Sequence, residues 1–279
     1  MQLAIRHETH YRYSSPFSYT IQQLRLTPRT ESQQRILSWQ VDLPGSSQAY
    51  TDAFGNFSHM LTLNTPQDHL SIIAHGHVET VFPYQGRLFD HGHGAAMSPQ
   101  IFTASTRLTE PTPAIIEFCQ GLLPNPPQHI HTHHLMTLAE HVFGAVAYQS
   151  GATNVSSTAH DAFALGQGVC QDHAHLFLAC CHAKGIPARY VSGYIDPGNG
   201  NHGASHAWVD AWVDDADFSG WISIDVTHKR LMTDAYCRLA IGRDYESAAP
   251  IHGVRSGGGE EHLSVSVWVD LPGNLACHR

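Results

Sequence analysis

The chain has no long apolar segment and carries little charge. No apolar run in its 279 residues approaches the ~18 residues that a membrane-crossing helix requires, so no transmembrane span is expected. Residues 1–8 form a polar strand pattern and lack the apolar stretch of a signal peptide. Charged residues make up 14% of the chain and the net charge is −9, which argues against nonspecific nucleic-acid binding. These absences predict a cytoplasmic globular protein without a membrane or nucleic-acid partner.

Cysteine is also scarce. The six cysteines include no Cys-x-x-Cys pair, a pattern typical of reduced thiols in a chain of this length. Cys180 and Cys181 lie in an apolar stretch and are expected to be buried packing residues. Histidine, in contrast, occurs 23 times, with dense runs at 91–93 and 129–134. Those runs are compatible with adventitious zinc or nickel binding, but no His-Glu-x-x-His motif occurs, and we expect neither a functional metal nor another cofactor.

The order of strand-like and helix-like patterns predicts an α+β protein. Short alternating runs separated by proline and glycine fill the first part of the chain, with a hairpin turn at 52–57. The pattern at 262–270 predicts a C-terminal strand, which could pair with the sheet of either domain. We divide the chain into an N-terminal β-sandwich-like domain at 1–88, a connector with a short helix (113–122) at 89–130, a core of helices packed on an antiparallel sheet at 131–250, and the C-terminal strand at 251–279.

Two helices are predicted in the core. Apolar spacing predicts the first over 131–146. The second is predicted over 170–184, because Gly185 suits a left-handed conformation and Pro187 prevents continuation. The predicted strands are 189–195, 204–213 and 220–227. The glycine-rich loop 196–203 between the first two strands is a candidate lid over a site.

The most informative residue is Cys170. It follows a Gly-Gln-Gly-Val run and occupies the first turn of the predicted helix. Backbone N–H groups at a helix start have no intrahelical partner and favour negative charge. A cysteine there is therefore biased toward the thiolate, the form that attacks a carbonyl carbon.

His206 and Asp225 are the candidates for a base and an orienting group. His206 lies on a Val- and Trp-rich strand pattern, and Asp225 ends the next strand pattern. Cysteine, histidine and aspartate together form the arrangement used for acyl transfer through a thioester. His173 is a same-face neighbour of the nucleophile and remains open as an alternative base, although His206 is favoured. Asp172 is expected to support the helix start.

Several short segments carry a resemblance to a known family. In the core they are 168–172 (Gly-Val-Cys-Gln-Asp), 185–194 (Gly-Ile-Pro-Ala-Arg-Tyr-Val-Ser-Gly-Tyr), 206–208 (His-Ala-Trp), 220–221 (Gly-Trp) and 225–227 (Asp-Val-Thr). In the first domain they are 11–13 (Tyr-Arg-Tyr), 23–29 (Gln-Leu-Arg-Leu-Thr-Pro-Arg) and 52–56 (Asp-Ala-Phe-Gly-Asn). In this order and spacing they resemble the bacterial transglutaminase-like superfamily, which has a papain-like core and, in many bacterial members, a preceding β-domain.

The resemblance implies a role for each site residue. Cys170 corresponds to the nucleophile, His206 to the base, and Asp225 to the residue that holds the base. The superfamily includes transglutaminases, proteases and peptide N-glycanases. Val226 departs from its pattern, because many members have proline at that position.

An acyl-transfer site also needs donors for the oxyanion. The backbone N–H of Cys170 is the expected first donor, and Tyr148 or Gln167 could supply a second. Trp208 is expected in the core or on the wall of the cleft.

We therefore predict a thiol enzyme whose substrate is a peptide, a protein or a small amide. Hydrolysis, as in a cysteine protease or amidase, is favoured, because many bacterial members of the resembled family are thought to be proteases or amidases. The alternatives are a transglutaminase proper, a non-catalytic binding module that keeps the fold, and a zinc-dependent hydrolase built on the histidine runs. The oligomeric state does not follow from the sequence.

Overall fold

The computed structural model of the protein describes residues 1–89, 97–124, 129–196, 198 and 204–271. The predicted histidine run at 91–93 and most of the predicted lid at 196–203 lie outside the described residues. The strands are β1 (Gln2–Leu24), β2 (Gln34–Asp42), β3 (Ser47–Thr51), β4 (Phe57–Leu63), β5 (Gln67–Thr80), β6 (Ala147–Tyr148), β7 (Gln167–Gly168), β8 (Ala188–Ile195), β9 (Ala204–Asp215), β10 (Phe218–Asp225), β11 (Arg230–Leu231), β12 (Tyr236–Gly242), β13 (Ile251–Gly257) and β14 (Glu261–Asp270). The α-helices are α1 (Pro113–Cys119), α2 (Thr132–Ala145), α3 (Ala159–Leu165), α4 (Cys170–Ala183) and α5 (Tyr245–Ala248).

The first five strands form a curled antiparallel sheet around the long strand β1. Residues 2–12 of β1 pair with β5, and residues 20–24 pair with β4. β2 extends the sheet beyond β5, and β3 extends it beyond β4. Side chains of β1, β4 and β5, among them Phe17, Leu61 and Ile72, form one buried apolar cluster. This sheet lies in the range predicted for the N-terminal β-sandwich-like domain, where the structure has a single curled sheet, and its β3–β4 hairpin turns at the predicted residues 52–57.

The last two strands return to this first sheet. β13 pairs with residues 17–24 of β1, and β14 pairs with residues 4–13. β1 therefore has a neighbour on each side over most of its length. The sequence left the partner of the C-terminal strand open, and the structure places it on the N-terminal sheet.

The core is an antiparallel sheet covered by helices. Its strand order is β11-β10-β9-β8-β12, and α4 packs against β8 and β9. Nearly every side chain of α4 is buried, and Cys180 and Cys181 are fully buried as predicted. The curled first sheet followed by this core confirms the predicted α+β class.

Local sequence determines where the helices begin and end. Val169 is extended before α4, and its N–H donates to the Asp172 carboxylate at 2.7 Å, so Asp172 caps the helix as predicted. Gly185 has the predicted left-handed conformation, with a φ of 65°. The predicted helices at 131–146 and 170–184 agree with α2 and α4 to within one residue at each end. The predicted helix at 113–122 ends earlier, at Cys119, because Gly121 takes a left-handed φ of 88°.

Side-chain amides of the first domain cover the outer edge of the core sheet. β12 is the last strand of that sheet, so one of its edges has no strand beside it there. The amide of Gln34 donates to the Arg238 carbonyl at 2.8 Å and accepts from the Arg238 N–H at 2.7 Å. Asn56 makes the same pair of bonds with Ile241, at 2.8 and 2.9 Å. Each amide thus takes the place of a peptide group of a neighbouring strand, and the Arg29 N–H also donates to the Arg238 carbonyl at 3.0 Å.

No helix in the described ranges is long and apolar enough to cross a membrane. The domain boundaries at 88, 130 and 250 stay predictions, because strand pairing alone does not show which parts fold independently.

Candidate active site

Cys170 is the first residue of α4 and is partly exposed. The short parallel strands β6 and β7 lie beside it, with Tyr148 paired to Gly168. The N–H groups of Asp172 and His173 donate to the Val169 carbonyl, so the N–H groups beside the thiol are those of Cys170 and Gln171 at the start of α4. This is the local geometry that the sequence predicts for the nucleophile.

His206 and Asp225 lie at the same end of the core sheet. His206 is near the start of β9 and Asp225 ends β10, and the antiparallel pairing of these strands brings the two residues together. Nε2 of His206 is 2.8 Å from Oδ2 of Asp225. Both side chains are buried. The predicted base and its predicted orienting residue are therefore in direct hydrogen-bond contact.

The Cys170 thiol lies beside His206 and is one of the groups that raise its pKa. Because Nε2 is used by Asp225, Nδ1 remains for the thiol. Burial lowers the pKa of His206, but the hydrogen bonds to Asp225 and Cys170 outweigh it and raise that pKa to about 10. The raised pKa favours the imidazolium form of His206, which is the form that stabilises a neighbouring thiolate.

Asp225 is held by further donors that the sequence analysis missed. The Tyr236 hydroxyl and Nδ1–H of His228 each donate to Oδ2 at 2.6 Å, and the backbone N–H of His228 donates to Oδ1 at 3.1 Å. Nε–H of Arg230 donates to the Tyr236 hydroxyl at 2.8 Å. Burial raises the pKa of Asp225, but the hydrogen bonds from His206, His228 and Tyr236 bring it well below its usual range. Asp225 is thus a fixed carboxylate.

One of the missed residues had a signal in the sequence. His228 follows Asp225 by three positions, a spacing at which an aspartate commonly binds the backbone of its own turn. Tyr236 had none, because it begins a different strand, and its contact with Asp225 depends on the tertiary fold.

Buried side chains of the core sheet pack against His206. The rings of His206 and Trp208 are stacked at 6.0 Å, and the indole N–H of Trp208 donates to the Ser223 hydroxyl at 2.9 Å. Gly193 lies opposite His206 in the β8–β9 register. A Cβ at Gly193 would fall 2.1 Å from the Cys237 carbonyl oxygen and 2.5 Å from the Trp208 ring, so this position requires glycine.

A buried ionic network continues from these side chains toward the first domain. Asp210 accepts from Arg189 at 2.8 Å and from Arg238 at 2.7 Å, and Nε of Arg238 lies 2.8 Å from Glu31. Burial raises the pKa of Asp210, but the guanidinium groups of Arg238 and Arg189 outweigh it and hold that pKa below its usual range. The network therefore joins charged side chains of the core to a carboxylate of the N-terminal domain.

The three predicted cleft residues occupy different places. Tyr148, on β6, is half exposed, and its pKa is raised first by burial and then by the charge of the nearby Cys170. Gln167, on β7, is partly buried. Trp208 is fully buried, and its N–H is used by Ser223. Tyr148 is thus the candidate with an electrostatic relation to the nucleophile.

His173, the alternative base, lies on α4, and its side chain is fully buried. Its Nδ1 contacts the Thr227 hydroxyl at 2.9 Å, and its Nε2 contacts the Val146 carbonyl at 2.8 Å. Burial lowers the pKa of His173. Both ring nitrogens of His173 are therefore occupied by groups other than the thiol, whereas the thiol acts on the pKa of His206.

Two histidine groups bear on metal binding. His206, Asp225 and His228 place one ligand atom each within 4.8 Å of one another, and the described part of the chain contains no other such group of three. In the predicted run at 129–134, the rings of His133 and His134 lie 3.9 Å apart, with His131 stacked on both.

Comparison with known families agrees with this geometry. Residues 3–79 match the family model of the bacterial transglutaminase-like N-terminal region, and residues 125–226 match that of the transglutaminase-like superfamily. The second match contains Cys170, His206 and Asp225. The chain belongs to the bacterial transglutaminase-like superfamily, as its motifs predicted.

Relatives of similar length are themselves uncharacterized. One, from Mycobacterium leprae (strain TN), is 29% identical over 290 residues, which cover 95% of this chain and 97% of the relative. Another, from Mycobacterium tuberculosis (strain ATCC 25618 / H37Rv), is 29% identical over 276 residues, which cover 90% of this chain and 86% of the relative. A crystal structure of a Cytophaga hutchinsonii protein, proposed to be a cysteine protease, superimposes with a TM-score of 0.76 at 21% identity and covers 97% of this chain and 90% of its own. At that identity the likeness shows the fold alone.

Proposed function

We propose that the protein is a thiol-dependent acyl-transfer enzyme that acts on amide or peptide bonds, with hydrolysis as its main reaction. The observation that carries the proposal is the 2.8 Å hydrogen bond between His206 and Asp225, with Cys170 beside His206 at the N-terminus of α4. Membership of the transglutaminase-like superfamily supports the chemistry, and the solved Cytophaga structure supports the architecture.

The first half-reaction forms a thioester. The Cys170 thiolate attacks the carbonyl carbon, and the carbonyl oxygen becomes an oxyanion. The backbone N–H of Cys170 donates to this oxygen, and Tyr148 or Gln167 supplies a second hydrogen bond. His206 then gives its proton to the leaving amine while the C–N bond breaks. Asp225 keeps the imidazole oriented and stabilises its positive charge.

Water completes the cycle in a hydrolase. His206, now neutral, takes a proton from water, and the resulting hydroxide attacks the thioester carbon. The C–S bond then breaks, which restores the Cys170 thiolate beside the protonated His206, and the acid product leaves. A primary amine in place of water would give transamidation, the reaction of a transglutaminase. Cys170 is partly exposed and Tyr148 half exposed, so water reaches the thioester, and this favours hydrolysis.

A peptide mixture containing glutamine and asparagine, incubated with a labelled primary amine, tests this reading by mass spectrometry. We expect cleaved or deamidated peptides with the wild type and none with Cys170→Ser. A predominance of amine adducts would favour the transglutaminase alternative. Absence of every product, together with an unreactive Cys170, would favour the non-catalytic binding module.

We place the proposed reaction in the cytoplasm, on a peptide, protein or small-amide substrate. The five cysteines among the described residues are free, which fits a reducing compartment. Fractionation of cells that express the tagged full chain tests the location. Recovery from an extracytoplasmic fraction would contradict it.

A further inference from the structure

Two imidazoles converge on one carboxylate oxygen at the edge of the site. Nε2 of His206 lies 2.8 Å from Oδ2 of Asp225, and Nδ1 of His228 lies 2.6 Å from the same oxygen. Orientation of a catalytic histidine requires only the first of these contacts. The second comes from His228, whose side chain is 47% exposed and has no part in the proposed reaction.

We propose that His206, Asp225 and His228 bind a zinc-class divalent ion, and that the bound ion switches the triad off. Two imidazole nitrogens and one carboxylate oxygen are a donor set that zinc binds, with water as the fourth ligand. Zinc bonds of ~2.0–2.2 Å place tetrahedral ligands roughly 3.3 Å apart. To admit the ion, the His206 and His228 contacts with Asp225 need to open by about 0.5 and 0.7 Å, and the two imidazole nitrogens, which lie within 4.8 Å of each other, need to take the same separation.

The surroundings suit an ion at this position. Asp225 is also held by the Tyr236 hydroxyl at 2.6 Å and by the backbone N–H of His228 at 3.1 Å, so it stays oriented when the imidazoles turn to the metal. The exposed side of His228 provides an entry path. The two cationic side chains that follow it are engaged elsewhere: Lys229 lies 3.4 Å from the centroid of an aromatic ring, and Arg230 donates to Tyr236.

The ion would stop the proposed chemistry by removing the base. Nε2 of His206 releases its proton to solvent and binds the metal, while the proton of His228 moves through solvent from Nδ1 to the exposed Nε2. The remaining proton of His206 then stays on Nδ1, facing the thiol. In that form His206 can give a proton to the leaving amine only by becoming a metal-bound imidazolate, and it has no lone pair with which to take a proton from water. Metal binding itself does not depend on the proposed function; only the inhibition does.

Calorimetric titration of the full chain with Zn²⁺, and visible spectroscopy with Co²⁺, test the site without a substrate. We expect one ion bound by the triad side chains, with a tetrahedral cobalt spectrum. His228→Asn should weaken zinc binding at least ~10-fold, since removal of even a group behind a ligand has that effect. Asparagine keeps a side-chain N–H for Asp225 and removes the ligand nitrogen, so it is the matched variant. Cys170→Ser should bind zinc as the wild type does.

Unchanged zinc affinity in His228→Asn overturns the proposal. Loss of binding in Cys170→Ser also overturns it, because the ion would then lie on the thiol. Loss of zinc binding in the double variant His131→Ala/His133→Ala would also overturn the proposal, because the ion would then lie on the histidines at the start of α2.

Activity separates the metal site from the proposed function. Inhibition of an active wild type by Zn²⁺, reversed by a chelator, supports the switch, and activity that persists with the site saturated overturns it. If the site binds zinc as described and the metal-free protein has no thiol-dependent activity, the metal site is supported and the proposed function fails.

Discussion

At Asp225, one buried carboxylate accepts hydrogen bonds from His206, Tyr236 and both the side chain and the backbone of His228. These donors fix its orientation and keep it ionised. The charge and the geometry of this carboxylate are therefore what the site requires, and a neutral group of the same shape should fail.

Asp225→Asn tests that requirement. The amide has one acceptor oxygen and an NH₂ that cannot accept from His206, so the imidazole loses its orientation and its counter-charge. We expect kcat/KM for amide hydrolysis to fall by about 10²–10⁴-fold with the fold retained by circular dichroism. Asp68→Asn, at a carboxylate that is 65% exposed, is the control and should change nothing. A loss smaller than about tenfold would contradict the role of Asp225.

Tyr236→Phe removes one donor from Asp225 and the acceptor used by Nε of Arg230. We expect the free energy of unfolding to fall by about 1–3 kcal/mol, because buried polar groups lose a partner. The catalytic rate should fall with it, because Asp225 becomes less constrained. Urea unfolding and substrate kinetics measure both effects. Tyr19→Phe, at an exposed tyrosine, is the control, and equal effects from the two variants would argue against the contact.

At the scale of elements, the outer edge of β12 depends on two amides from the first domain. Gln34→Ala and Asn56→Ala should each lower the free energy of unfolding by about 1–3 kcal/mol. Gln34→Ala leaves the buried N–H of Arg238 unpaired, while the Arg238 carbonyl keeps its bond from the Arg29 N–H, and Asn56→Ala leaves both the N–H and the C=O of Ile241 unpaired. The exposed Gln48→Ala should stay within about 0.5 kcal/mol of the wild type in the same urea titration. Equal stability of all three variants would show that the edge gains nothing from the amides.

Local elements could be predicted from the sequence because their signals are local. Asp172 and Gly185 mark the two ends of α4, and the apolar spacing marks α2. Cys170, His206 and Asp225 were identifiable because they stand in motifs of fixed order. The pairing of β14 with β1 and the contact of Tyr236 with Asp225 could not be predicted, since both join residues far apart in sequence that only the assembled sheets bring together.

At the scale of the whole molecule, buried charges join the two sheets. Glu31, in the first domain, pairs with Arg238 of β12, and Arg238 pairs with Asp210 of β9 behind the site. A buried charge without its partner is costly, so the first domain and the core should unfold together.

The pH dependence of stability follows from Asp210. The pKa of Asp210 in the folded protein is held below its value of about 3.9 in the unfolded chain. The stability that the ionised carboxylate gives the folded state is therefore present above about pH 3.9 and is lost as the pH falls below it. Asp210→Asn should lower the free energy of unfolding at pH 7 by about 3–5 kcal/mol, because Arg189 and Arg238 lose their counter-charge. It should also flatten the acid dependence below about pH 4. Urea unfolding of the wild type and of Asp210→Asn, at pH 7 and below about pH 4, measures both effects. Asp42→Asn, at a partly exposed aspartate, is the control. An acid slope in Asp210→Asn equal to that of the wild type would contradict the assignment.

The proposed chemistry depends on Cys170 and His206 acting together as an activated nucleophile. The most direct measurement is the rate of iodoacetamide modification of Cys170 at about pH 6, followed by peptide mass mapping, with glutathione as the reference thiol; an ordinary thiol, with a pKa near 8.5, is almost fully protonated there. We predict that Cys170 reacts faster than glutathione and that His206→Ala removes this advantage. A Cys170 that reacts no faster than glutathione, at a rate unchanged in His206→Ala, would contradict the account.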